Sequence, residues 1–364
     1  MRGRIFDVLV SAGDSDAPKA GSSRQRSKPA PSSSRVTLYA SAWDLRPCFA
    51  LYSYPHDCRM ASLQVSPRRR TAGLQSEPSS AGLRTYLAFV KPHIDLTFVL
   101  VAFTGSVLAA ARTGATPFWR FTGAAVAVAL LSAGAECWTN LLDRDIDAVM
   151  ARTARRALPS GRISTRSAVA LGASLTGAGL GLAAALGPIP LLFLAFALLD
   201  NVIVYSALTK RATPWSIVLG SAVGPLTLWA GYGAVAVPVS LPALLIGAMV
   251  AAWVPVHIWA IATLYREDYA AAGVPMAPVV WGHGKLAAAS SASTLAMGAL
   301  ATGGLLSIGG RAAALVGAAV ALLSVVIAGA AALLAWRPGL ASLLVKLATA
   351  YLVVVLIAAI GLAA

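Results

Sequence analysis

Charged side chains are scarce in this chain. Only 12% of its 364 residues are Asp, Glu, Lys or Arg, whereas 58% are hydrophobic. Soluble globular domains carry about 25% charged residues, so this composition excludes a soluble fold of the ordinary kind. It predicts instead an all-α protein that crosses a membrane several times.

Cysteine and acidic residues are also rare. The three cysteines, at positions 48, 58 and 137, do not form a CxxC spacing, which excludes a disulfide framework and a cysteine metal site. The 14 acidic residues stand against 29 basic ones. A basic balance can indicate nucleic-acid binding, but no basic amphipathic helix or RNA-binding signature accompanies it. We therefore predict no nucleic-acid partner, since basic residues in membrane proteins normally mark one side of the bilayer.

Residues 1–85 differ in composition from the rest of the chain. They are rich in Ser, Pro and Arg, show no sustained helical period and hold 13 of the 29 basic residues. We predict that this segment is a disordered cytoplasmic extension. Alternatively, the start codon is mis-assigned and Met60 is the first residue. An organelle transit peptide is a further alternative. The second predicted unit, residues 86–364, is a membrane domain.

Apolar stretches of about 20 residues, the length that crosses a bilayer, recur nine times after Tyr86. The sequence therefore predicts about nine transmembrane helices. Their predicted ranges are 92–111, 119–141, 166–186, 189–208, 214–234, 240–262, 286–307, 312–335 and 340–362.

The loops between these spans carry basic residues mainly on one side. If the N-terminus is cytoplasmic, 13 basic residues after position 85 lie on the cytoplasmic side, and only Arg112, Arg120 and Arg311 lie outside. The positive-inside rule therefore predicts a cytoplasmic N-terminus.

The stretch "WTNLLDRDIDAVMARTARRALPSGRI" places three carboxylates at the predicted cytoplasmic end of the second span. On a helix, Glu136, Asn140, Asp143 and Asp147 have the spacing i, i+4, i+7 and i+11, which forms a single stripe. Like charges at this spacing repel each other, and Mg²⁺ would relieve the repulsion because it prefers oxygen ligands. The alternative is that the aspartates only form surface ion pairs with nearby arginines.

A second acidic pair, Glu267 and Asp268, lies at the predicted cytoplasmic end of the sixth span. Two acidic clusters on the same face of a bundle favour the metal hypothesis. The predicted Mg²⁺ ligands are Asn140, Asp143, Asp147, Glu267 and Asp268.

Basic side chains follow both the second and the fourth spans. Arginines and lysines beside a metal ion can bind a diphosphate and neutralise the charge that develops as it leaves. A lipid tail on that diphosphate would lie between the helices, and this combination indicates prenyl transfer. The predicted diphosphate-binding residues are Arg152, Arg155, Arg156, Lys210 and Arg211.

Four segments of the chain resemble the UbiA-type intramembrane prenyltransferases and, within them, the protohaem IX farnesyltransferase (haem O synthase) family. They are "LRTYLAFVKPHIDL", "DRDIDAVMARTARRALPSGRI", "YSALTKRATPWSIVLGSAVGPLTLWAGYGAV" and "WVPVHIWAIATLYREDYAAAGVPMAPVVWG". The last segment is the most specific to haem O synthases. The first motif departs from the family, which usually has Asn at the position of Thr139, so we expect Asn140 to act as a shifted ligand.

The resemblance implies a helical bundle around an intramembrane cavity and the farnesylation of a vinyl group of haem b to give haem O. Asp143, Asp147 and Asp268 would act through Mg²⁺ on farnesyl diphosphate. His257 would bind the haem, act as a base for water, or be a buried histidine without a catalytic role. The implied partners are farnesyl diphosphate, haem b, the lipid bilayer and haem A synthase.

Two other functions remain open on the sequence alone. A UbiA-type enzyme could prenylate the aromatic ring of a quinone precursor, and a transporter could also contain many apolar helices. Transporters tend to place ionisable residues near mid-membrane, whereas these acids lie at helix ends. The Ala- and Gly-rich composition favours a bacterial plasma membrane, with the mitochondrial inner membrane as the alternative.

Overall fold

The computed structural model of the protein describes residues 82–115, 117–334 and 337–364. Nearly all of the predicted extension, residues 1–85, lies outside the described residues, so that prediction stays untested. Regular structure within the described ranges is helical throughout. The α-helices are α1 (Leu83–Val90), α2 (Pro92–Thr113), α3 (Phe118–Leu142), α4 (Arg144–Val149), α5 (Thr165–Leu186), α6 (Pro188–Leu199), α7 (Ser216–Leu219), α8 (Val223–Gly233), α9 (Leu241–Leu264), α10 (Arg266–Ala271), α11 (Ala277–Val280), α12 (His283–Leu306), α13 (Gly310–Leu333) and α14 (Ala341–Ala363).

Seven helices in the described part of the chain are long and apolar enough to cross a membrane. They correspond to seven of the nine predicted spans, which confirms a polytopic membrane protein. The predicted span 286–307 is a continuous helix, α12, whose Ser, Thr and Gly residues make it less apolar. The predicted span 214–234 is divided between the short helices α7 and α8. The count of nine therefore stays a prediction.

Asp200 contacts the start of α8, next to the break between α7 and α8. This buried residue begins a π-helical segment, Asp200–Thr209, that continues α6. Its carboxylate accepts a hydrogen bond from the backbone N–H of Val223 at 3.0 Å, in the first residue of α8. A carboxylate that satisfies an N–H group at a helix start stabilises that start. Asp200 thus has a structural contact that the sequence alone did not indicate.

Helices α2 and α8 pack with their backbones in close contact. A Cβ atom on Gly105 would lie 2.0 Å from the carbonyl oxygen of Leu228, and one on Gly231 would lie 2.0 Å from that of Ala102. The Ser106 hydroxyl donates a hydrogen bond to the carbonyl oxygen of Gly231 at 2.9 Å. Small residues and hydroxyl groups are the usual means of such close packing in membranes. This contact fixes α8 against α2.

The short helices at one end of the bundle share a buried cluster of their own. It includes Ile146 and Met150 near α4, Ile217 in α7, and Trp259 in α9. Trp281 makes edge-on ring contacts with Trp259 at 5.5 Å and with Trp215 at 4.8 Å between centroids. The cluster holds α4 and the loop after it against the end of α9, and this is where the predicted site residues gather.

Candidate active site

A polar pocket of about 180 Å³ lies at the C-terminal end of α3, between α4 and the π-helical segment. The pocket brings together positively and negatively charged residues that are far apart in the sequence. Six of the predicted site residues line it: Asn140, Asp143, Asp147, Arg152, Arg156 and Lys210.

Each of the two aspartates in the pocket is paired with a cation. Asp143 accepts a hydrogen bond from the Lys210 ammonium group through Oδ2. Asp147 accepts two bonds from one nitrogen of Arg156, at 2.8 and 3.1 Å. Both aspartates are buried, and Asp143 Oδ1 has no hydrogen-bond partner in the structure. A buried carboxylate oxygen without a partner is costly, so this atom is suited to a further ligand.

Asn140 lines the same pocket as Asp143 and Asp147, and its role as a shifted metal ligand stays a prediction. Its side-chain nitrogen donates a hydrogen bond to the carbonyl oxygen of Phe89 at 3.2 Å, and the residue is buried. Because the nitrogen is engaged with α1, the amide oxygen is the atom that can act as an acceptor or a metal ligand.

Asp145 lies outside the pocket. It is exposed and forms two hydrogen bonds with the Arg211 guanidinium, at 2.6 and 2.7 Å. The bond to Arg211 lowers the pKa of the Asp145 carboxyl against the opposing effect of burial. Asp145 and Arg211 therefore form an ion pair at the surface. The ion-pair alternative expected surface pairs with nearby arginines, whereas the partner of Asp145 comes from a distant part of the chain.

The second acidic pair does not line the polar pocket. The Asp268 carboxylate accepts hydrogen bonds from the backbone N–H groups of Ala151 and Arg152, both at 3.3 Å. Asp268 and Glu267 line a separate pocket of about 370 Å³. Within the described ranges, no three His, Cys, Asp or Glu residues form a group that could hold a metal ion. Roles for Glu267 and Asp268 as metal ligands stay predictions.

Two of the five predicted cations also lie away from the pocket. Arg211 is engaged with Asp145, and Arg155 is exposed in the loop after α4. The chain between Ala151 and Arg162 consists of turns rather than a helix, so helical spacing does not determine which of its side chains share a face. Arg155 is therefore exposed, although its neighbour Arg156 lines the pocket.

An apolar cavity of about 550 Å³ lies beside the polar pocket, between α2, α9 and α14. The two spaces share Asn201 and Tyr205 of the π-helical segment as lining residues. His257 lines the apolar cavity rather than the polar pocket. The arrangement can hold a charged head group in one space and a hydrophobic molecule in the other.

Several residues of the polar pocket were not singled out from the sequence as site residues. Lys91 forms an ion pair with Glu136, and both line the pocket. Lys91 has φ +50°, a left-handed conformation that is uncommon for a residue with a side chain. Such backbone strain is enriched at functional sites. Glu136 already belonged to the acidic stripe, whereas its pairing with Lys91 depends on how α1 and α2 meet α3.

The UbiA prenyltransferase family matches residues 98–339, which include most of both spaces. The chain belongs to the UbiA prenyltransferase family. This membership confirms the prediction of a prenyltransferase and makes the transporter hypothesis wrong.

Several relatives of this chain have the same name, protoheme IX farnesyltransferase. A protein called protoheme IX farnesyltransferase from Desulforudis audaxviator is 41% identical over 218 residues, which are 58% of this chain and 69% of the relative. Proteins of the same name from Pyrobaculum neutrophilum and Paracoccus denitrificans are 37% and 39% identical. The matches cover 60% and 57% of this chain, and 77% and 67% of the relatives.

Solved structures share the fold of this prenyltransferase. A UbiA homologue from Archaeoglobus fulgidus bound to GPP and Mg²⁺ has a TM-score of 0.59 and 18% identity, over 74% of this chain and 99% of the homologue. One from Aeropyrum pernix has a TM-score of 0.58 and 23% identity, over 72% and 98%. The prediction of an all-α, UbiA-like membrane fold is confirmed.

Proposed function

We propose that this enzyme transfers the farnesyl group of farnesyl diphosphate to a vinyl group of protohaem IX, forming haem O. The relatives named protoheme IX farnesyltransferase support this choice of substrates over the aromatic ring of a quinone precursor. The structural observation that carries it is the wall of Asn201 and Tyr205 that the charged pocket and the 550 Å³ cavity share. A diphosphate in the pocket would thereby lie next to an apolar space of a size that suits a cofactor-like molecule.

The pocket fits Mg²⁺ bound together with a diphosphate. Mg²⁺ is typically held by one or two carboxylates, waters and substrate phosphates, and the pocket offers Asp143, Asp147 and the amide oxygen of Asn140. The unpartnered Oδ1 of Asp143 supports this assignment. When bound, the metal ion would supply positive charge that stabilises the departing diphosphate. A homologue of this fold has been solved with GPP and Mg²⁺.

Lys210 and Arg156 are the cations best placed to bind the diphosphate. They now neutralise Asp143 and Asp147. With substrate present, their N–H groups would donate to phosphate oxygens, and the carboxylates would serve the metal ion. Arg152 also lines the pocket, and Asp268 holds the backbone at Arg152. We therefore assign Asp268 the positioning of this loop, in addition to its predicted role as a Mg²⁺ ligand.

The reaction balances with one water molecule. The bond between C1 of the farnesyl group and the diphosphate oxygen breaks, and the vinyl π electrons of protohaem form the new carbon–carbon bond. The resulting cation takes up water, which loses a proton and leaves the hydroxyl group of haem O. Tyr205 and Asn201, on the shared wall, lie where the two substrates would meet.

The proposal is tested by pigment analysis of a bacterial host that lacks its own haem O synthase. Expression of this chain should produce haem O, identified by its mass and chromatographic retention, and the Asp143→Asn variant should produce far less of it. Accumulation of a prenylated aromatic acid without haem O would contradict the proposal and favour the quinone alternative. The predicted interaction with haem A synthase would be examined in the same host by co-purification.

We further propose a bacterial plasma membrane location with the polar pocket on the cytoplasmic side. Six arginines lie between residues 144 and 166, close to the end of α3. A reporter inserted between residues 152 and 162 is therefore expected to be active in the cytoplasm. A second reporter inserted after Gly114 should show the opposite location. Periplasmic activity of the first reporter would overturn the orientation.

A further inference from the structure

A third space, which we call the narrow chamber, is lined by residues of α2, α3, α6, α8 and the π-helical segment. Its volume is about 60 Å³. A few water molecules fit into this volume, because about 15 Å³ is enough for one. Most of the lining side chains are apolar, but four are polar: Ser132, Glu136, Asn201 and Thr227.

The polar groups of the narrow chamber come from three separate elements. Ser132 and Glu136 are four residues apart on α3, so they share a face of that helix. The Thr227 hydroxyl, in α8, donates to the carbonyl oxygen of Val223 at 2.8 Å, and its oxygen can still accept a hydrogen bond. Among the described residues, neither the Ser132 hydroxyl nor the Asn201 side-chain amide has a hydrogen-bond partner. A buried water molecule needs roughly two to four polar partners, and these side chains can supply them.

The narrow chamber borders both of the spaces that we assign to the substrates. It shares Glu136 and Asn201 with the polar pocket. It shares Phe98, Asn201 and Val223 with the apolar cavity. Asn201 therefore lines all three spaces. A molecule held in the narrow chamber would lie beside the point where the diphosphate and its hydrophobic acceptor meet.

We propose that the narrow chamber holds the water molecule that completes the reaction, and that Asn201 positions this water for attack on the cation. This inference rests on the proposed function, because it explains the hydroxyl group of haem O. The water oxygen forms a bond to the cationic carbon next to the porphyrin ring, and one O–H bond then breaks. Glu136 receives the proton, since it is the one acidic side chain among the described residues that line the chamber. Its Oε2 is paired with Lys91, so Oε1 is the atom that accepts the proton.

The narrow chamber thereby decides between two products of the same cation. Without a water molecule in place, the cation loses a proton from its neighbouring CH₂ group to the departed diphosphate and forms a conjugated double bond. This dehydrated product is lighter than haem O by the mass of one water molecule. The ratio of the two products depends on the supply of water and not on the rate at which the cation forms.

The inference is tested with the double variant Ser132→Ala/Thr227→Val, whose side chains nearly keep the parent volumes. The variant removes two of the polar groups of the chamber, and apolar cavities hold water poorly. We expect the ratio of dehydrated product to haem O to rise by about tenfold or more, because each lost hydrogen bond weakens the binding of the water. The ratio is measured by mass spectrometry of the pigments that membranes containing the full-length protein make from farnesyl diphosphate and haem b with Mg²⁺.

Thr294→Val is the matched control for the loss of a threonine hydroxyl. Thr294 and Thr227 are both buried, and the Thr294 hydroxyl also donates to a carbonyl oxygen of its own helix at 2.8 Å. Thr294 lines none of the three spaces, so its product ratio should equal that of the parent. Asn201→Leu gives an independent test, since it keeps the branched shape of the side chain and removes the amide. It should also raise the ratio.

The outcomes separate this inference from the proposed function. If the parent makes haem O and the ratio is unchanged in both Ser132→Ala/Thr227→Val and Asn201→Leu, the inference alone is wrong. A lower yield of both products at an unchanged ratio would likewise show that these residues only support the fold. If the parent makes no prenylated haem, the proposed function is wrong and the inference with it. A raised ratio in the double variant, but not in Thr294→Val, would support the inference.

Discussion

Replacing Asp143 by Asn is expected to lower the turnover of farnesyl diphosphate by about a hundredfold or more, the usual cost of one lost electrostatic contact in a transition state. The amide keeps the volume and can still accept a hydrogen bond from Lys210, but it no longer carries the charge that would hold Mg²⁺. The initial rate of haem O formation at saturating substrates, measured over a range of Mg²⁺ concentrations, checks this. We expect Asp147→Asn to behave in the same way. Its partner Arg156 is 31% exposed and can be solvated when the carboxylate is lost.

Asp145→Asn is the matched control for these variants. Asp145 lies in the same short motif, but its carboxylate is 69% exposed and is paired with the surface arginine Arg211. Neither Asp145 nor Arg211 lines the polar pocket or the apolar cavity. Its rate should remain near that of the parent. Asp268→Asn adds a further comparison. We expect it to lower the rate because the carboxylate holds the loop at Arg152 and is also a predicted Mg²⁺ ligand. If Asp143→Asn is present at normal abundance and works at nearly the parent rate, the metal mechanism is wrong and the aspartates serve as ion pairs.

Gly231→Ala is expected to destabilise the fold strongly. The new Cβ atom would lie 2.0 Å from the carbonyl oxygen of Ala102, a backbone atom that cannot rotate away. Overpacking of this kind costs about 1–3 kcal/mol and more when the obstacle is rigid. Separation of α2 from α8 would also break the Ser106 hydrogen bond. The expected result is a melting temperature several degrees lower for the purified protein and a reduced amount in the membrane.

Gly177→Ala provides the control for this substitution. Gly177 lies within α5, and no atom lies within 4 Å of the position that its Cβ would take. Its melting temperature should equal or slightly exceed that of the parent, because alanine is favoured over glycine in a helix. Equal melting temperatures for both variants would mean that α2 and α8 do not pack at the distance observed.

The acidic stripe of the polar pocket could be predicted from the sequence because its signal is local. Asn140, Asp143 and Asp147 follow helical spacing at the end of α3, and a helix determines which residues share a face without help from other segments. Seven of the nine predicted spans have counterparts in the described part of the chain for a similar reason, since the length of an apolar run is a property of one segment. The strong excess of basic residues in alternate loops predicted the orientation in the same way.

Contacts between distant segments could not be predicted from local patterns. Lys210 lies 67 residues from Asp143, and only the packing of the π-helical segment against α3 decides that it pairs with Asp143 while Arg211 pairs with Asp145. Similarly, the hydrogen bond from the Val223 N–H group to Asp200, at the start of α8, joins residues of two different segments, and neither segment alone predicts it.

Composition, apolar run length and helical spacing were enough to determine a membrane protein with an acidic stripe and a group of arginines at one helix end, because each depends on residues close together in the chain. Tertiary structure alone decided that Asp268 contacts the backbone at Ala151 and that Arg155 stays exposed. It also decided that the polar pocket and the apolar cavity share Asn201 and Tyr205. The physical reason is that side-chain direction and the pairing of charges are set by packing between helices, which the pattern within any one helix does not contain.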